Sequence, residues 1–314
     1  WGFIDWPKRD EEEKEADAFE WIRVDADFEW IGRFYVQQPD YMYASQLQHD
    51  RDVEAQYDAI KYFGDREKPN ITYCSMLART AMDSRYYYGV RIAACQALAD
   101  FSKADNNFIG LRFLMNIYKK LFCFPNSSVP LSNNFESLPT FYLQRALPNI
   151  LCNIRDSEGK VSNSIKRLLI NLVKFNDNSD NKFNDCFYIS NLLSALTTSF
   201  LIPGGLSQIR DIESELKDPM LEEVITEIGR LQKLDEWIPS FQSVLLVACL
   251  RQRIRLAMYG LVLFLFEYFL IYTLKKHPTD IRIEAFRGLL ILGGLKNASI
   301  LRYFLKTLII DSTT

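Results

Sequence analysis

Hydrophobic residues recur at helical spacing through most of the chain, and residues 162–200 show the pattern most clearly. The first stripe consists of Ile165, Leu168, Leu169, Leu172 and Val173, and the second of Ile189, Leu192, Leu193, Leu196 and Phe200. Spacing of i, i+3, i+4 and i+7 is typical of amphipathic α-helices. A run of Asn and Asp at 176–185 separates the stripes and can end one helix and cap the next. Neither helix can bury its stripe alone, so the pattern predicts helix pairs that stack on similar pairs, as in a solenoid.

The same periodicity predicts helices over most of the chain after residue 40. The predicted helices are 41–63, 69–82, 86–103, 107–122, 137–155, 161–175, 186–200, 216–235, 239–256, 259–275, 279–292 and 297–310. Before them, residues 21–24 and 33–36 are short runs of β-formers that predict the last strands of a small β domain. The acidic run 10–20 is interpreted as a solvated linker. The predicted fold is all-α, a HEAT/ARM-like α-solenoid over 37–314, preceded by a linker and strands over 1–36.

A sequence pattern that occurs twice supports the prediction of structural repeats. Residues 90–98 and 281–289 both read aliphatic–Arg–aliphatic, followed by Ala at i+4 and Leu at i+8. The pattern resembles the second helix of HEAT-type repeats. We expect the small Ala94 and Ala285 to allow close helix approach. Arg91 and Arg282 are expected to tie the inter-helix turn of one repeat to its neighbour.

The amino-acid composition excludes several classes of protein. The 314 residues are 48% hydrophobic and 14% aromatic, which excludes wholesale disorder. A net charge of −3 gives no global attraction to nucleic acid, so any such contact needs a local patch. The six cysteines contain no C-x-x-C pair and are interpreted as reduced core thiols of an intracellular protein. The apolar run 257–274 contains Glu267 and is expected to be a core helix rather than a membrane span.

Candidate chemistry is sparse. The two histidines, His49 and His277, lie in unrelated contexts, so a zinc-protease pair is missing. No glycine-rich phosphate loop is recognisable, and the Asn/Asp run lacks the glycine and final glutamate of a calcium loop. We therefore predict no catalytic residues, no metal and no cofactor, and a protein that is not an enzyme.

Basic residues remain as candidate DNA contacts. One group consists of Lys160, Lys166, Arg167, Lys174 and Lys182, a second of Arg251, Arg253 and Arg255, and a third of Lys275 and Lys276. Arg167 and Lys174 are two helical turns apart and share a face. Phosphate contacts require only positive charge at such spacing. An ordinary solvated helix face is the alternative interpretation.

Several segments carry a family resemblance. Residues 21–25 and 34–36 look like the end of the β-sandwich domain of the M1 aminopeptidase superfamily, whose C-terminal part is a bowl of HEAT-like helices. More specifically, the chain resembles the family of aminopeptidase-like subunit 2 proteins of the general transcription factor TFIID, which are associated with the TATA-binding protein. The segments that carry this resemblance are 46–47, 50–56, 133–137, 142–145, 174–178 and 181–183. The Asn-rich segments of the sequence resemble those of fungal members of this family.

The resemblance implies a nuclear, non-catalytic scaffold in assembly of the RNA polymerase II preinitiation complex. Its implied partners are core promoter DNA and other TFIID subunits, notably the non-histone tail of the eighth associated factor and the largest subunit. It implies no membrane and no small-molecule substrate. Two alternatives stay open. One is the C-terminal domain of an active M1 zinc aminopeptidase, and the other is a karyopherin-like or adaptor solenoid, which would lack the β segment at 21–36.

Overall fold

A computed structural model describes residues 20–32, 34, 36–66, 70–103, 106–203 and 218–310. This part of the chain contains thirteen α-helices and no strand, which confirms the all-α prediction. The helices are α1 (Asp40–His49), α2 (Val53–Gly64), α3 (Ile71–Met82), α4 (Tyr88–Asp100), α5 (Ile109–Phe122), α6 (Leu138–Leu151), α7 (Asn163–Lys174), α8 (Cys186–Phe200), α9 (Pro219–Trp237), α10 (Val244–Met258), α11 (Phe266–Leu270), α12 (Thr279–Ile291) and α13 (Ala298–Ile310).

The first of two compact units comprises the described residues of 1–127 together with Phe135–Asp156, and it contains α1–α6. Consecutive helices form pairs, α1 with α2, α3 with α4 and α5 with α6. The second helices of the pairs pack side by side, α2 on α4 and α4 on α6, while α3 packs on α5. This two-layer stacking buries each apolar stripe against a neighbouring pair, as expected for helical repeats.

The second unit comprises Ser128–Asn134 and the described residues of 157–314, and it contains α7–α13. Here α7 pairs with α8 and α9 with α10, and a row forms from α8 through α10 to α12. The predicted stripe of α7 is buried, with Ile165 and Leu169 fully inaccessible. Ser162 begins α7 by accepting a hydrogen bond from the backbone N–H of Ser164, a standard N-cap. The unit continues with α11–α13, and Leu250, Ala285 and Leu289 lie in its core.

The two arginines of the repeated pattern, Arg91 and Arg282, make equivalent hydrogen bonds. Arg91 Nε donates to the carbonyl oxygen of Ala81 at 2.9 Å, and Arg282 Nε donates to that of Thr273 at 3.1 Å. Each bond reaches back to the helical segment just before the arginine's own helix, and the expected tie to a neighbouring repeat stays a prediction. The acceptors lie there because the last carbonyls of a helix lack intrahelical donors. The matching Ala94 and Ala285 are fully buried, as close helix approach requires.

The predicted strands are not formed in the described residues of 21–36; Arg33 and Tyr35 lie outside them. A strand needs a partner backbone. Here the Ile22 N–H donates instead to Gln38 Oε1 at 3.1 Å, and Trp21 Nε1 donates to Asp50 Oδ2 at 3.0 Å. These two bonds anchor the segment to the residues that flank α1, Gln38 before it and Asp50 after it. The predicted acidic linker lies outside the described residues apart from Glu20.

Two helix predictions were also wrong. The predicted helix 41–63 is two helices, because Asp52 caps α2 by accepting from the Glu54 N–H at 3.1 Å. The predicted helix 259–275 is reduced to α11 and a 3₁₀ turn at Ile271–Thr273. Gly260, at φ +72°, takes the chain out of α10. Within the described ranges, every helix is too short or too polar to cross a bilayer.

Candidate interaction surfaces

The basic face predicted on α7 exists, and it is partly neutralised. Arg167 Nη1 lies 2.6 Å from Glu223 Oε2, and Lys174 Nζ lies 3.1 Å from Glu223 Oε1. Glu223 belongs to α9, which packs beside α7. Hydrogen bonds from Lys174 and Arg167 hold the pKa of Glu223 below its usual range. Two cations share one carboxylate, so these three groups together keep one positive charge in excess.

The other three lysines of the first group are dispersed. Lys166 lies on a different face of α7, with its Nζ 4.6 Å from the ring centroid of Phe200. Lys160 pairs with Glu158 at 2.7 Å in the loop before α7. Lys182 is exposed in the loop after α7, and it forms no ion pair with the residues described. The structure therefore brings together only Arg167 and Lys174 from this group.

The three arginines of the second group, two residues apart along α10, contact different neighbouring helices. Arg251 Nη2 lies 3.1 Å from Glu284 Oε2 on α12. Arg253 Nε donates to Gln232 on α9 at 3.2 Å, and its guanidinium lies 5.0 Å from the Tyr268 ring centroid. Arg255 reaches α8, where Nη2 donates to Thr198 Oγ1 at 2.9 Å. Each arginine thus joins α10 to a different helix. Lys275 and Lys276, the third group, are exposed after the 3₁₀ turn.

Sequence reasoning missed the carboxylates that meet these cations. Glu223 lies 56 residues from Arg167 in the sequence, and Glu284 lies 33 residues from Arg251. Glu284 also binds Arg287 at 3.2 Å, three residues away on the same helix. That i,i+3 spacing was the only local signal available. As a result, both basic faces are mixed-charge surfaces rather than bare cationic patches.

The Asn/Asp run has a structural role that its composition did not reveal. It lies between α7 and α8 and binds the segment Ser128–Asn134. Buried Asn133 donates through Nδ2 to Asn176 Oδ1 at 3.1 Å and to Asp185 Oδ2 at 3.0 Å. The backbone N–H of Asn133 donates to the Asp177 carbonyl at 2.9 Å. Two segments that carried the family resemblance, 133–137 and 174–178, therefore meet at Asn133.

The acidic and thiol side chains that could bind a metal or act as nucleophiles are also dispersed. Among the described residues, no three His, Cys, Asp or Glu side chains are arranged to hold a metal ion. The six cysteines are all buried and none is in a disulfide. Burial raises the pKa of Cys74, Cys95 and Cys249 to about 12, so these thiols are protonated at neutral pH. They act as core side chains, as the sequence predicted.

Comparisons with known proteins point to one family. A family model described as TAF2-like, TPR repeats, matches residues 40–313. The chain is similar to transcription initiation factor TFIID subunit 2 of Schizosaccharomyces pombe, at 36% identity over 96% of this chain and 26% of the relative. For the protein of the same name from Saccharomyces cerevisiae, identity is 33% over 94% of this chain and 21% of the relative. The Drosophila melanogaster protein is 29% identical over 76% of this chain and 20% of the relative. The chain thus spans about a quarter or less of the length of these relatives.

Proposed function

This chain belongs to the TAF2-like family of TPR-repeat proteins, and we propose that it is a non-catalytic scaffold segment of the general transcription factor TFIID. The observation that carries the proposal is the extent of the match, which runs through all thirteen described helices. Stacked helix pairs offer long surfaces on which segments of other proteins bind. The proposed location is the nucleus, where the chain takes part in transcription initiation by RNA polymerase II.

The proposed partners are other TFIID subunits. They include the tail of the eighth associated factor and the largest subunit, as the family resemblance implies. Support for protein partners comes from the surface, where large apolar side chains such as Trp237 (84% exposed) and Ile309 (84% exposed) face solvent. Exposed tryptophan is a frequent anchor of protein interfaces, and exposed apolar patches often mark them.

A replacement experiment in Schizosaccharomyces pombe tests the scaffold role. The segment of TFIID subunit 2 that this chain matches is exchanged for residues 20–314, in a strain whose native copy can be depleted. We expect growth after depletion, and promoter-dependent initiation by TFIID purified from the strain. The matched control carries the corresponding Saccharomyces cerevisiae segment, which is 33% identical to this chain. Growth with the control segment and death with this chain would contradict the proposal.

Promoter DNA is the second proposed partner, through α7. The supporting observation is the excess positive charge where Arg167 and Lys174 share Glu223, together with exposed Lys182 in the adjoining loop. Such a surface can contact phosphates without reading bases. Arg251, Arg253 and Arg255 are assigned a lesser part, since each is bonded to a neighbouring helix.

The DNA proposal is tested by reversing charge on α7. Arg167→Glu and Lys174→Glu are introduced together into the replacement strain, and Lys119→Glu with Lys120→Glu on α5 provides a control of equal charge change. We expect weaker crosslinking of purified TFIID to promoter DNA and a shallower dependence of binding on salt. If both quantities match those of the α5 control, the α7 surface does not contact DNA.

A further inference from the structure

Two cavities in the second unit lie on either side of α12 and share Ile283 and Arg287 in their walls. The first is a groove between α12 and α13 with a volume of about 480 Å³. Its lining is mainly apolar and includes Phe286, Leu290, Phe304 and Leu308. Phe286 and Phe304 pack with ring centroids 5.4 Å apart. Ile283 and Leu308 are 53% and 58% exposed, so the groove presents apolar surface that the described residues of this unit leave uncovered.

The second cavity is a cleft of about 370 Å³ between α10 and α12, and its chemistry is ionic. Arg251 and Arg287 both bind Glu284, whose side chain is only 4% exposed. The two arginine side chains are 52% and 53% exposed. Two guanidinium groups therefore share one carboxylate, and each keeps N–H donors that no described residue uses.

The fourth charged group of the cleft is Asp280, which is exposed in the first turn of α12. It makes the net charge of the four groups zero, so recognition here depends on directional donors rather than on a long-range field. Guanidinium groups bind carboxylates through paired N–H donors, and such charge-assisted bonds are stronger than neutral ones. An anionic side chain fits beside Arg251 and Arg287, and Asp280 weakens its binding by like-charge repulsion.

We propose that the groove and the cleft together form one docking site for an acidic amphipathic segment of a partner protein. Apolar side chains of the segment fill the groove, and an Asp or Glu carboxylate on its neighbouring face binds Arg287 and Arg251. The arginine cleft is what selects this occupant, because the apolar groove alone would accept any hydrophobic segment. This inference deepens the scaffold proposal by naming a class of partner. Its test measures binding by the chain itself, so it can fail separately from the replacement experiment.

The test is selection from a randomised 16-residue peptide display library with the whole chain as bait. Enriched peptides are synthesised with a fluorescent label, and their affinity is measured by fluorescence anisotropy. The site variants are Ile283→Ser and Arg287→Gln, and the controls are Leu263→Ser and Arg230→Gln. Leu263 is 69% exposed and lies outside both cavities. Arg230 forms the same i,i+3 pair with a glutamate, Glu227, and its side chain is 48% exposed.

The expected peptides carry apolar residues at helical spacing together with Asp or Glu. Each site variant should weaken their binding about tenfold, a typical cost of losing an apolar anchor or a charge-assisted bond. Both controls should bind as the parent chain does. Asp280→Asn should tighten binding severalfold, since it removes the repulsive carboxylate.

Three results would overturn the inference. The first is enrichment of peptides without acidic residues. The second is affinity that both site variants leave within twofold of the parent chain. The third is self-association of the chain that Ile283→Ser abolishes, which would assign the groove to a second copy.

Discussion

Replacing Gly110 with alanine is expected to destabilise the first unit, because α5 passes almost in contact with the backbone of α4. A Cβ atom on Gly110 would lie 1.8 Å from the carbonyl oxygen of Leu98 and 2.8 Å from Ser102 Oγ. Restoring an ordinary contact of 3.4 Å requires the helices to separate by about 1.6 Å at this point. A backbone carbonyl cannot rotate away as a side chain can, so the cost lies at the upper end of overpacking, about 3 kcal/mol.

The better helix propensity of alanine offsets up to about 1 kcal/mol, leaving a net loss of about 2 kcal/mol. For a unit of this size, the midpoint of thermal unfolding should fall by about 4–8 °C. Gly229→Ala provides the matched control. Its Cβ would meet only the flexible end of Arg253, at 3.3 Å, so the same change within α9 should stabilise by about 0.5–1 kcal/mol.

The assay is urea unfolding followed by far-ultraviolet circular dichroism. Amide hydrogen exchange in the same proteins identifies which helices lose protection. We expect the Gly110→Ala loss to lie in α4 and α5, and the Gly229→Ala gain to lie in α9. A Gly110→Ala chain that is as stable as the parent would refute the close α4–α5 packing, since alanine would then fit without displacing Leu98.

Three further predictions concern the second unit and the buried thiols. Asn133→Ala removes the side-chain hydrogen bonds to Asn176 and Asp185, of which the second is buried, and should cost about 2 kcal/mol of unfolding free energy. Urea melts measure the loss, and an unchanged midpoint would contradict it. The pKa of Glu223 is lowered in the folded state, so its ion pairs stabilise the fold fully above the unfolded-state pKa. That stabilisation is lost as the pH falls through the folded-state pKa. Glu223→Gln should therefore cost less than about 1 kcal/mol of unfolding free energy at pH 7 and nothing at pH 2. Cys95, with its pKa raised to about 12, should react with a thiol reagent at pH 8 only as fast as the fold opens, whereas rapid labelling would show that it is accessible.

Local patterns predicted the helices well where the signal was itself local. The predicted helix 186–200 matches α8, because its apolar stripe and the polar residues before it lie within one short window. The break between α1 and α2 was missed because part of its support is distant. Asp50 and Asp52 are bound by Trp21 and Arg23, 29 residues away in the sequence. Hydrophobic periodicity is judged over a window of many residues, so a short break between two helices does not change the pattern enough to be seen.

The candidate site shows the same division between local and distant causes. Sequence identified Arg167, Lys174 and Arg251 as cations at helical spacing. It could not identify Glu223 and Glu284 as their partners, because those contacts depend on which helices become neighbours. The docking groove also depends on how α12 meets α13. Hydrophobicity alone does not distinguish an exposed Ile283 from the buried Ile281 two residues earlier.

The decisive test of the scaffold role is the subunit stoichiometry of TFIID purified through the replacement protein. Quantitative mass spectrometry would compare strains that carry this chain, the native segment, or no segment in its place. If the chain is a scaffold segment, it should recover the other TFIID subunits in the ratios of the native strain, while the deletion strain should lose some of them. Recovery no better than in the deletion strain, from a replacement protein that is folded and equally abundant, would contradict it.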